Sequence, residues 1–128
     1  MDGRAQEVVA DFGQKKFGAR FPDTITEAGL VGQLSNNSKE SLLDSVKQKL
    51  LISLEKHHSR GIVVHGHQEC ALLSGVDDER HKDDIRQSVH KIKSLINSSV
   101  PVVGVFVKRS SRDYSEWVVE EISPTVTV

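Results

Sequence analysis

Cysteine occurs once in the 128 residues, at position 70, so no disulfide can form within the chain. One cysteine suits a reducing compartment, and it is too few for the usual structural zinc knot. Aromatic residues make up only 5% of the chain, which leaves Trp117 conspicuous, with simple packing as its default role. No apolar stretch approaches the roughly 20 residues a membrane-spanning helix needs. Neither charge sign dominates: 17 Lys and Arg stand against 18 Asp and Glu, a formal charge of −1. That balance gives no electrostatic reason to expect nucleic acid as the partner. The opening "MDGRAQEVVADFGQKK" is charged from its second residue and lacks a signal peptide's apolar region. A soluble, cytoplasmic protein is the expectation.

At 37% hydrophobic and 27% charged, 1–128 reads as a single globular domain with one modest core. Ala5, Val8, Val9 and Phe12 fall at helical spacing and predict a first helix to about Lys16. Pro22 argues against continuing that helix; a short strand around Ile25 and a turn containing Gly29 and Gly32 are expected next. A long helix follows, with Asn37 or Ser38 as its cap, an apolar stripe of Leu42, Leu43, Val46, Leu50 and Leu54, and Gly61 after its end. "GIVVHGH" reads as a strand, being short, β-branched and bounded by glycine. A second long helix runs from about Asp77 to Ile96, with Ile85, Val89, Ile92 and Ile96 as its buried stripe. "VPVVGVFVKR" predicts a strand buried on both faces, and "EWVVEEI" a final strand at an edge. The alternation predicts an α/β fold: a mostly parallel central sheet flanked by helices on both faces, with room for one antiparallel edge strand.

In such sheets ligands bind beyond the carboxyl ends of the strands, where "HGHQEC" stands. His67 and Cys70 are separated by two residues, so a tight turn can bring imidazole and thiolate onto one ion, and zinc suits that mixed pair. Gly66 would let the backbone bend there. Two other readings stand beside this one. Cys70 can be a small buried hydrophobe with the histidines merely ending a strand, or it can be a nucleophile whose pKa His65 or His67 lowers. The phosphatase pattern is excluded, because Val76 stands where its arginine would be. At the start of the chain, Asp2 and Arg4 around Gly3 can form a carboxylate–guanidinium pair, or can be a solvated, frayed end.

Taken together, "DGR", "EAGLVG", "VVHGHQECA" and "EWVVEEI" resemble the β-class carbonic anhydrases, and within them a short, divergent branch. The metal signature of that family is Cys-x-Asp-x-Arg early in the chain, then Gly-His-x-x-Cys. Gly66, His67 and Cys70 match the second half; Met1, Asp2 and Arg4 match the first half from its second position. The resemblance implies zinc held by His67 and Cys70, with Asp2 as a further ligand in a closed form. It implies zinc-bound hydroxide attacking carbon dioxide to give bicarbonate, with Asp2, oriented by Arg4, accepting a hydrogen bond from it. It also implies a substrate pocket around Ala28 and Gly29, His65 as proton shuttle or support to the ligands, and a homodimer or larger homo-oligomer whose contacts would involve the first helix and the last strand. The alternative is a catalytically silent metal- or anion-binding module on the same fold.

One departure stands out. The family's first cysteine would fall immediately before Met1, and the strand that delivers it is missing with it. The expectation is a longer protein that supplies both.

Overall fold

Alternate residues of "IVVHGH" point to opposite faces, and each face meets a different helix. That sandwich sets the fold. A computed structural model describes residues 3–27, 29–35, 39–68, 77–110 and 116–122. The elements, in chain order, are α1 (Gly3–Phe17), α2 (Leu30–Ser35), α3 (Glu40–Lys56), β1 (Ile62–His67), α4 (Asp78–Leu95), β2 (Val102–Arg109) and β3 (Trp117–Ile122).

The three strands form one sheet in the order β1-β2-β3. β1 and β2 are parallel, with Ile62 opposite Val102 and His67 opposite Val107. β2 and β3 are antiparallel, with Gly104 opposite Ile122 and Arg109 opposite Trp117. The described sheet is therefore mixed, one pairing of each kind, rather than mostly parallel. The helix α4 makes the crossover that a parallel β1–β2 pair requires.

α4 begins as its sequence dictates. The Asp77 side chain accepts the Arg80 amide at 2.8 Å, and Asp78 and Glu79 follow in the first turn, where the helix dipole favours them. Ile85, Val89, Ile92 and Ile96 are all buried. Ile85 rests on the sheet where Gly66 and Gly104 present no side chain. α1 covers the opposite face, with Gly13 against Val63. The core joins Val64, Phe106 and Ile122 of the sheet to Ile85 and Ile92 of α4, Val46 and Leu50 of α3, and Leu34 of α2.

Three local expectations need correction. Residues 21–27 form no strand; Ile25 packs against the core from an irregular segment. The segment is tied down by side chains instead: Ser53 donates to Asp23 at 2.6 Å, His57 Nδ1 meets the same carboxylate at 2.6 Å, and Arg60 donates to the Gly18 carbonyl at 2.9 Å. The turn at Gly29 leads into the short helix α2, which spacing did not predict. α3 ends at Lys56, well ahead of Gly61, and the left-handed residue beyond it is His58, at φ 54°; Gly61 is where the Phe17 ring packs. Asn37 and Ser38 lie outside the described residues, and Lys39 stands at the start of α3 without a side-chain cap. Among the described residues no helix is long and apolar enough to cross a membrane.

Candidate metal centre

β1 carries His65 and His67 to the carboxyl end of a parallel strand, beside the start of α4. The glycine between them does not bend the chain as expected. Gly66 is a regular strand residue paired with Phe106, and a Cβ there would lie 3.2 Å from Ile85 Cδ1. It is a glycine because α4 approaches closely.

The His67 ring is oriented by a short contact from Nδ1 to the Gln68 carbonyl, 2.7 Å. A carbonyl only accepts, so Nδ1 carries a proton, and in the neutral form of the ring the lone pair falls on Nε2. In metal-binding imidazoles one ring nitrogen is hydrogen-bonded in this way while the other takes the metal. His67 therefore fits a zinc ligand on its own chemistry. Cys70 lies outside the described residues, and among the described residues no group of three or more His, Cys, Asp or Glu side chains could hold an ion.

His65 lies deeper. Burial pushes its pKa down to about 4, with the neighbouring His67 adding to the effect, so the ring is neutral at pH 7. Its Nδ1 is buried without a hydrogen-bond partner among the described residues. Such an atom costs free energy.

A cavity of about 610 Å³ opens along β1 on the side away from β2, touching every residue of that strand. Gly13 of α1 borders it from one face of the sheet and Leu34 and Leu50 from the other. Gly29, at φ 60°, lines it together with His65 and His67. Three of the residues singled out in the sequence thus share one space. Ala28 and Asp2 lie outside the described residues. Arg4 has its guanidinium 5.0 Å from the centre of the Trp117 ring, and Arg109 approaches the same ring to 4.7 Å.

One residue of this region was missed. His81, on the first turn of α4, is buried, lines the cavity and stacks on Phe106 with ring centres 6.1 Å apart. Burial lowers its pKa, against the pull of Asp78 and Asp84. Its spacing was the available signal, since position 81 is one turn before Ile85 and extends the buried stripe.

An oriented imidazole thus stands at the end of a parallel strand, beside a cavity, the place where α/β sheets commonly take ligands. Residues 1–123 match the family described as "Putative carbonic anhydrase". The chain belongs to that family. No curated protein and no solved structure matches the chain.

Proposed function

We propose that the protein is a zinc lyase that interconverts carbon dioxide and bicarbonate. The observation that carries the reading is the family match over 1–123, a span that contains Gly66, His67 and Cys70, whose order resembles a metal motif. The tautomer imposed on His67 by the Gln68 carbonyl supports it.

His67 and Cys70 would hold the ion. Zinc, when bound, supplies a Lewis acid that brings the pKa of water towards neutrality. The chain's own residues then position the reactants. Asp2 would accept a hydrogen bond from the attacking oxygen and fix its direction, and Arg4 would keep that carboxylate ionised and oriented. Gly29 lines the cavity, and with Ala28 it would border the space for carbon dioxide. His65, behind His67 on the same strand, supports the ligand ring or relays a proton.

The reading needs a third protein ligand. Among the described residues no group of three or more His, Cys, Asp or Glu side chains supplies one. Assembly as a homodimer or larger oligomer, through α1 and the edge strand β3, completes the proposal.

The test is metal content and carbon dioxide hydration of the full gene product, for wild type and Cys70→Ser. Stoichiometric zinc and hydration activity, both lost in Cys70→Ser, are expected. Zinc without hydration would replace the enzyme by a silent metal- or anion-binding module. A metal-free, inactive wild type would overturn the reading.

A further inference from the structure

The parallel ladder between β1 and β2 breaks its own pattern at Gln68. It begins with the Ile62 amide on the Pro101 carbonyl at 2.9 Å and ends with the Gln68 amide on the Val107 carbonyl at 2.9 Å. In that pattern the next bond runs from the Arg109 amide to the main-chain carbonyl of Gln68. The Arg109 amide instead donates to the Gln68 side-chain Oε1 at 2.9 Å. The other end of the same amide group, Nε2, donates to Asp78 Oδ2 at 2.8 Å. A main-chain N–H can only donate and a carboxylate only accept, so the two partners fix which way the amide faces. The main-chain carbonyl, relieved of its place in the ladder, receives His67 Nδ1.

We propose that Gln68 is a positioning residue for the His67 imidazole: its side chain replaces its own main-chain carbonyl in the ladder and so frees that carbonyl to fix the ring's tautomer and direction. This rests on the reading of His67 as a metal ligand only for its consequence; the exchange of carbonyls is independent of it. The residue type follows from the geometry. Glutamine supplies an acceptor for Arg109 and a donor for Asp78 at the right reach. Asparagine is one methylene shorter, methionine offers neither group, and glutamate sets a second carboxylate against Asp78.

The decisive experiment reads the His67 tautomer directly, by ¹⁵N–¹H correlation of the ring nitrogens in metal-free protein near pH 8. Wild type should show the Nδ1–H form. Gln68→Met should show a mixture, because the Arg109 amide returns to the main-chain carbonyl. Gln68→Glu should do the same, and Gln68→Glu with Asp78→Asn should restore the wild-type spectrum, since the new carboxylate then accepts from both sides. Zinc affinity, from competition with a chromophoric chelator, should fall 10- to 100-fold in Gln68→Met, the range typical of lost support behind a ligand, and recover in the double variant. An unchanged Nδ1–H form in Gln68→Met and Gln68→Glu overturns the proposal, whatever their stability. If wild type takes up no zinc, the lyase reading fails while the tautomer comparison still decides the role of Gln68. Should Gln68→Met not fold, the single and double glutamate variants carry the test alone, and failure of the double variant to restore the tautomer overturns it.

Discussion

A Cβ on Gly104 would lie 2.6 Å from Ile85 Cγ2 and 3.2 Å from Val89 Cγ2, so α4 sits directly on the backbone of the central strand. The nearer atom is a branched methyl on a fully buried side chain and has nowhere to turn. Gly104→Ala should therefore destabilise by about 1–3 kcal/mol, the usual cost of overpacking. At Gly66 the neighbour is the outer end of the same isoleucine, at 3.2 Å, which can shift by a few tenths of an ångström. Gly66→Ala should cost less than Gly104→Ala, since alanine also lowers the entropy of the unfolded chain. Urea midpoints of the two variants check the order, and a larger loss at Gly66 would contradict this packing.

Ser88, fully buried on α4, donates to the Val31 carbonyl of α2 at 3.0 Å. It is a direct polar tie between the two helices. Ser88→Ala should cost about 1 kcal/mol, the net worth of one such bond. It should also raise amide exchange in α2 before that in α4, because a helix of six residues has little stability of its own. Hydrogen exchange by residue measures both; uniform protection would show that α2 is held by its apolar contacts alone.

That tie also explains what the sequence concealed. α1, α3, α4 and all three strands were legible because each carries its own period, as in the row Ile85, Val89, Ile92 and Ile96. α2 was not: its six residues include Gly32, a poor helix former, and it exists because Leu34 is buried and Val31 meets α4. The strand expected around Ile25 failed for the converse reason. β-Branched residues suit a strand, but a strand needs a partner, and this segment is bonded to α3 through Asp23 instead. At the site, residue types exposed His67, but the Gln68 contacts depend on a register no spacing encodes. His81 looked like one more polar residue in "DDERHKDD" until Phe106 was placed beneath it.

Glu120 lies between two lysines, 2.8 Å from Lys108 Nζ and 3.0 Å from Lys82 Nζ. The hydrogen bond from Lys108, then that from Lys82, hold its carboxyl below the ordinary value of 4.5. A carboxyl lowered in the folded state contributes stability above its unfolded value and loses it as pH falls through the folded one. Glu120→Gln should therefore be less stable than wild type at pH 7 by about 1 kcal/mol or less, as for a partly exposed network. The gap should close as pH drops below 4.5. It should also narrow in 1 M salt, where the screening length is about 3 Å. Paired urea titrations at pH 7 and pH 3 check the sign; a gap that widens in acid would show that these lysines do not hold the carboxylate.

His65 has the opposite character, being a buried polar ring whose Nδ1 finds no partner among the described residues. An unsatisfied buried nitrogen costs about 1–3 kcal/mol, and leucine fills a similar volume without that cost. His65→Leu should accordingly be at least as stable as wild type at pH 7 by urea denaturation. If the histidine serves the neighbouring ligand, the same variant should lose zinc affinity or hydration activity in the full gene product. Stability kept or gained together with function lost is the pattern of a residue retained for its chemistry. A variant that loses stability and keeps both functions would place His65 in the core with no part in the site.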